Sequence, residues 1–161
     1  MNLLAFNLLL AVVWAMLTGS FTLSSLVTGF VLGFLALWIL RPLMGVPRGY
    51  FLRMLYWLKL IVLFHYELVV SSLEVMWDVV TPTHRSRPTV LDVPLDVTSD
   101  AGILLVTNLI SLTPGTLSLE VSEDRRTLRV HAMFGEDPDA VRRSIKTGME
   151  RWVRDALGEM A

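Results

Sequence analysis

The sequence predicts a chain in two parts. A helical membrane half, made of a hairpin and one long amphipathic helix, precedes a small C-terminal α+β domain of order β-α-β-β-α. Three observations predict this. Residues 1–40 contain no Asp, Glu, Lys, Arg, His or Pro, so all 14 basic and 15 acidic residues of the 161-residue chain fall after them. Residues 50–80 carry their charges on one side of a helical wheel. From Arg87 onward, short alternating runs and helix caps replace the long apolar stretches. The membrane domain is therefore read as 1–80, with helices at about 2–18, 24–41 and 50–80, and the extramembrane domain as 81–161.

Composition narrows the function. A soluble domain needs charge along its length to stay dispersed, which the first 40 residues lack. Cysteine is absent, which excludes disulfides, thiolate metal sites and cysteine nucleophiles. A net charge of −1 argues against a nucleic-acid partner.

The first apolar run, Leu3 to Leu17, and the second, Leu26 to Leu40, flank a Thr/Ser-rich turn, and the second stops at Arg41-Pro42. Each run alone covers only ~23 Å of a ~30 Å hydrocarbon core, so each is expected to extend into the turn. The first run lacks the positive n-region and cleavage site of a secretory signal, and a second apolar run follows at once. Gly29 and Gly33 form a G-x-x-x-G step suited to close helix packing, and Asn7 calls for an interhelical hydrogen bond.

With Lys59 set at 0° and ~100° per residue, Glu74, Glu67, Asp78, Arg53 and Ser71 all fall within a sector about 120° wide. The opposite side is aliphatic and aromatic. This stripe of Lys59, Glu67, Glu74 and Asp78 suits a partner subunit, an ion-linked role or a solvated face, because membrane carboxylates are costly without partners. His65 points away from the stripe and reads as an interfacial or packed residue. Arg41, Arg48 and Arg53 make one end of this helix basic, and Arg85 and Arg87 the other. The positive-inside rule places basic flanks in the cytoplasm, so a spanning helix breaks it at one end and a surface-lying helix obeys it at both. The cytoplasmic side is the expected location of the C-terminal domain.

Thr89 to Val97 alternates Leu91, Val93, Leu95 and Val97 with Asp92 and Asp96, a half-buried strand that Pro94 places at a sheet edge. Thr98-Ser99-Asp100 caps an apolar helix that Pro114-Gly115 halts. Leu117, Leu119 and Val121 are expected to face inward on the next strand, and Leu128, Val130 and Ala132 on its hairpin partner. Asp137 and Pro138 open the last helix, whose apolar residues from Val141 to Leu157 keep helical spacing.

No catalytic residue, metal site or cofactor motif emerges. The three His lack ligand spacing, and phosphate-binding glycine loops and nucleophile elbows are absent. Asp92, Asp96 and Asp100 read as a solvated face, as do Arg142, Arg143 and Lys146, which lack the aromatic interleaving of a nucleic-acid surface.

The run Asn108 to Met133, NLISLTPGTLSLEVSEDRRTLRVHAM, resembles the E-type subunit of the multisubunit Na⁺/H⁺ (Mrp/Mnh/Pha-type) cation antiporters. Its I-S-L-T-P-G-T and L-x-V-H-A segments carry the likeness. The uncharged hairpin, the R-P step at 41–42, the acid-striped helix and a second R-P at 87–88 extend it over nearly the whole chain. The resemblance implies an accessory subunit of a hetero-oligomeric cation/proton antiporter in the cell membrane. Its partners would be the other subunits, which hold the ion path, and the lipid bilayer. Thr113, Pro114, Gly115 and Thr116 are carried over as motif positions only. Their local chemistry is that of a helix-to-strand turn: proline ends the helix and glycine accepts positive φ. A membrane-anchored adaptor whose α/β domain binds a soluble protein is the alternative of another class.

Overall fold

The computed structural model describes residues 3–44 and 49–159; Arg48 of the basic loop lies outside them. The chain divides into two compact units, Met1–Leu52 and Arg53–Ala161.

In the first unit, α1 (Leu3–Leu17) and α2 (Leu23–Met44) form a hairpin. Helix α1 buries every fourth residue, Leu3, Asn7, Ala11 and Ala15, a stripe whose small side chains let the backbones approach. Opposite it, a Cβ on Gly29 would lie 3.0 Å from the Cα of Ala11, and one on Gly33 3.1 Å from the Cβ of Leu10. Asn7 is wholly buried, with its Nδ2 donating to the Tyr50 hydroxyl at 3.2 Å. Phe34 packs against Tyr50 and Phe51 with ring centroids 6.1 and 5.2 Å apart, closing a small cluster around Leu37.

Two ends differ from expectation. Helix α1 does not continue into the Thr/Ser turn: Thr18 Oγ1 bonds back to the Trp14 carbonyl, and Gly19 at φ +63° reverses the chain. Helix α2 continues through Arg41 and Pro42 to Met44. Proline costs the one hydrogen bond its missing N–H would make, a loss tolerable in a last turn. The window Leu23–Pro42, with mean hydropathy 2.2, is long and apolar enough to cross a bilayer, and so by length and composition is α3 (Gly49–Val80).

In the second unit the strands β1 (Thr89–Pro94), β2 (Thr116–Val121) and β3 (Thr127–Ala132) form an antiparallel sheet of order β1-β3-β2. Helix α4 (Asp100–Leu112) lies between β1 and β2 in sequence. Its N-cap Ser99 accepts from the Gly102 N–H at 3.0 Å. Asp137 caps α5 (Pro138–Ile145), accepting from the N–H groups of Asp139 and Ala140. The core gathers Leu91 and Val93 of β1, Leu128 and Val130 of β3, Val106 and Ile110 of α4, and Val153 of the last helix. Leu60 of α3 is buried with them, and Tyr56, Trp57 and Phe64 pack alongside.

Strand β2 corrects an expectation. Leu117 and Leu119 point outward and are exposed, while Thr116 and Ser118 face inward. Ser118 donates its hydroxyl to the Thr107 carbonyl of α4, and its N–H bonds Ser111 Oγ, so polar contacts tie this strand to the helix. A bulge between Ser118 and Glu120 inserts Leu119 and returns Val121 to the inner side opposite Leu128. The hairpin turn ends on Arg125 at φ +59°.

The last helix is also not continuous. A π turn over Lys146–Glu150, with Gly148 at φ −95°, ψ −106°, separates α5 from α6 (Arg151–Leu157). Ile145, Met149, Val153 and Ala156 all reach the core.

Candidate functional site

The α3 stripe meets the turn motif in one cavity of about 430 Å³ within the second unit. Glu67, Ser71 and Glu74 form one wall, Thr113 to Thr116 a second, and Thr147 and Gly148 of the π turn a third, with Ile110, Ile145, Met149 and Trp152 as apolar floor. Local sequence explains each wall. A seven-residue separation sets Glu67 and Glu74 on one face two turns apart. Pro114 cannot continue α4, and Gly115 at φ +87° turns the chain into β2.

The turn keeps its polar groups for itself. Thr113, 3% exposed, donates its hydroxyl to the Leu109 carbonyl at 2.8 Å. Thr116 donates its hydroxyl to the Ile110 carbonyl at 2.6 Å, and its N–H bonds the Thr113 carbonyl. The Gly115 carbonyl accepts from Met133 N–H. These bonds lock α4 to β2 and leave the two threonine hydroxyls engaged with the backbone.

The other stripe residues separate. Asp78 is buried and accepts from the backbone N–H groups of Arg85 and Ser86, so it fastens the chain that leaves α3. Lys59 is exposed and lies outside the cavity. His65 is exposed on the apolar side, its Nδ1 2.7 Å from the Ile61 carbonyl. Gly29 and Gly33 belong to the α1–α2 packing and not to this cavity. Among the described residues no three His, Asp or Glu side chains group as metal ligands.

Two carboxylates carry structural weight that their sequence positions do not signal. Glu150, 1% exposed, accepts from the N–H groups of Asp96 at 2.5 Å and Val97 at 3.1 Å. Its Oε2 lies 2.9 Å from Lys146 Nζ, a close ion pair without an aligned hydrogen bond. Lys146 also reaches Asp96 and the Pro94 carbonyl, each at 2.7 Å, so it is half-buried in a junction between β1 and the last helix and not part of a solvated basic face. Glu159 takes the N–H of Thr98 and the hydroxyl of Ser99. Burial alone would raise the pKa of Glu159, but these hydrogen bonds outweigh it and hold the carboxyl below the usual glutamate value. No sequence pattern signals these partners, because the N–H groups of Asp96, Val97 and Thr98 belong to the link between β1 and α4. Asp92, Asp96 and Asp100 pair separately with Arg129, with Lys146 and Arg154, and with Arg125.

The family model for Na⁺/H⁺ ion antiporter subunits (MNHE) matches residues 7–156, so it takes in the hairpin, α3, the cavity and the α/β unit together. The chain belongs to this family. The E1 subunit of the Na⁺/H⁺ antiporter of Staphylococcus aureus is 35% identical over 158 residues, 98% of each chain. The E1 subunit of Staphylococcus haemolyticus is 35% identical over 153 residues, 95% of each. A chain in the membrane-bound sulfane sulfur reductase, an archaeal respiratory membrane complex, shares the fold with TM-score 0.58 at 22% identity, covering 94% of this chain and 96% of its own. The family's relatives are transporter subunits, which gives this chain a membrane location, in keeping with its two helices long and apolar enough to cross.

Proposed function

We propose that this chain is the E-type accessory subunit of a hetero-oligomeric monovalent cation/proton antiporter, supporting assembly and coupling and leaving the ion path to other subunits. Its partners are those subunits and the bilayer, and it is a transporter subunit without enzymatic activity. The observation that carries this reading is the span of the family match, which covers both halves of the chain and not the membrane helices alone. The turn supports it as a structural element, since Thr113 and Thr116 donate their hydroxyls to carbonyls of α4 and tie that helix to β2.

The membrane domain is read as 1–80 and the extramembrane domain as 81–161, and the placement of the latter in the cytoplasm rests on how α3 is covered. Along one side, Leu60 enters the α/β core, Glu67 and Glu74 face the cavity, and Asp78 holds Arg85 and Ser86. A helix crossing the bilayer would draw that charged domain into hydrocarbon, at several kcal/mol per unpaired charge. A helix lying in the interface keeps the domain in water. Its exposed apolar residues, from Ile61 and Val79 through Leu58, Val69 and Val62 to Trp77 and Leu52, then cover about half of the wheel, from about 200° through 300° to about 20° with Lys59 at 0°, and face the acyl boundary. The basic residues Arg41, Arg85 and Arg87 then share the cytoplasmic side, and the positive-inside rule is obeyed throughout.

Mild-detergent purification through a C-terminal tag, from cells expressing the whole operon, tests the subunit role. Recovery of several hydrophobic partner chains is expected; a single small species would favour the adaptor. A Ser122→Cys chain tests the sidedness. Protection from an impermeant thiol reagent in intact cells, with reaction after lysis, is expected. Rapid labelling without lysis would place the domain outside.

A further inference from the structure

Helix α3 changes character around its circumference, and a groove lies on the border. With Lys59 at 0°, Leu73, Trp77 and Val70 fall at about 320°, 0° and 20°, on the margin of the exposed apolar sector, and Glu74 follows at about 60°. These four residues, with Phe134 just after β3 and Arg85 after α3, line a groove of about 500 Å³ within the second unit. Its walls differ in chemistry. Val70, Leu73, Trp77 and Phe134 make an apolar wall, and Trp77 is 59% exposed on it. Glu74 and Arg85 border the same groove without pairing to each other, and among the described residues neither forms any ion pair. Asp78, the other carboxylate at the groove, is buried and already accepts from the backbone N–H groups of Arg85 and Ser86. One free cation and one free anion therefore flank an apolar wall at the edge of the lipid-facing sector.

We propose that this groove seats one phospholipid with an ethanolamine headgroup, its phosphate on Arg85, its ammonium on Glu74 and an acyl chain along the apolar wall; this rests on α3 lying against the bilayer, as read above. Charge complementarity selects the headgroup. Guanidinium N–H groups match phosphate oxygens, and a primary ammonium supplies the donors that a lone carboxylate lacks. A purely anionic headgroup brings a second negative charge toward Glu74, and a choline headgroup has no N–H to give it. Continuity selects lipid over water, because Leu73 and Trp77 carry the exposed apolar sector of α3 into the groove. An indole on that margin stands at headgroup depth, where tryptophan is enriched. A lipid held in this way joins the end of α3 to the chain after β3 and anchors the α/β domain at the membrane surface.

The test uses the intact antiporter in vesicles of equal parts phosphatidylethanolamine, phosphatidylcholine and phosphatidylglycerol. A photo-crosslinking benzoyl-phenylalanine replaces Trp77 in one preparation and, in another, Val62 on the apolar sector outside the groove. After irradiation the Val62 probe should join the three lipids in their bulk ratio. The Trp77 probe should favour phosphatidylethanolamine about threefold, the scale of two half-exposed ion pairs. Glu74→Lys should move that preference to phosphatidylglycerol, and Arg85→Gln should return it to the bulk ratio. Glu123→Gln, on the hairpin turn, should leave it unchanged. An unaltered limited-proteolysis pattern of the α/β unit separates lost headgroup selection from lost folding, and the preference of the otherwise unaltered chain decides the question if a variant misfolds. Trp77-probe adducts in the bulk ratio, or with a partner subunit in place of lipid, would overturn the proposal. A Val62 probe that captures no lipid would instead remove the reading of α3 against the bilayer.

Discussion

Helices α2 and α3 pass the same test of length and mean hydropathy, 2.2 against 1.5, yet they distribute polarity in opposite ways. The α1–α2 hairpin carries no charge before Arg41 and buries its one strongly polar pair contact, Asn7 to Tyr50, inside the unit. Its outward residues are apolar, so its approach surface is made by what is missing: side chains at Gly29 and Gly33. Helix α3 keeps one face for its own α/β domain and turns a different, apolar face outward. Hydropathy averaged over a window cannot separate the two cases, because it discards the phase of each residue around the axis. The difference teaches that a membrane-like helix gains its meaning from what covers its polar side.

The comparison breaks most readily at Glu150. Glu150→Ala removes the acceptor for the backbone N–H groups of Asp96 and Val97 and one of the two carboxylates paired with Lys146, a loss of about 1–3 kcal/mol on the scale of an unsatisfied buried donor. The C-terminal domain should then be cleaved by low protease concentrations while the hairpin stays intact in detergent. Equal protection of mutant and wild type would show that the junction is not buried as described.

The hairpin is the next point of attack. Gly29→Leu forces a side chain onto the backbone of Ala11, where a Cβ alone would sit 3.0 Å from both its Cα and its carbonyl oxygen. Overpacking of this kind costs ~1–3 kcal/mol, and backbone cannot move as a flexible side chain can. Lower abundance of the full chain in membranes is expected, with the protease pattern of the α/β unit unchanged. A smaller effect than Leu32→Ala, on an exposed position of the same helix, would contradict the packing.

Gly115→Val sharpens the contrast, because space is not the obstacle there. A Cβ would rest in ordinary contact with Phe134 and Val75 at 3.6 Å, so the cost comes from φ +87°, ~1–3 kcal/mol for a β-branched residue. Subunit level, partner assembly and exchange activity should fall together. Normal assembly with altered apparent Na⁺ affinity would put the turn on the ion path.

The smallest effect is a pH dependence. Glu159 has a folded pKa below its ordinary value of 4.5, so its contribution is present above that value and is lost as pH falls through the lowered pKa. Glu159→Gln should lower the α/β unit's stability at neutral pH and leave it little changed in acid, so that the acid limb flattens. A variant that keeps the wild-type acid limb would show that the cap of Ser99 and Thr98 is not electrostatic.

Much of this fold is legible in the chain because local rules agree with it. The uncharged first 40 residues, the caps Ser99 and Asp137, the alternation in β1 and β3, and the acidic sector of α3 each follow from short-range spacing. The turn Thr113–Thr116 is legible as punctuation for the same reason. Strand β2 defeats its own alternation because a bulge shifts phase by one residue, and nothing in Leu117-Ser118-Leu119 announces that insertion. Lys146 looks like a solvated charge because its partners, Asp96 and Glu150, meet only when β1 and the last helix pack together.

The sequence by itself determined which segments are apolar enough to meet a bilayer, which residues cap α4 and α5, and which family the chain resembles, since these depend on composition and neighbours within a few turns. Only the tertiary structure decided that Glu67 and Glu74 face the T-P-G-T turn across one cavity, that Asp78 holds Arg85 and Ser86, and that Glu150 lies buried against the link between β1 and α4. Those choices depend on contacts between residues tens of positions apart. Their free energies come from desolvation and pairing at the junction, and no local pattern encodes them.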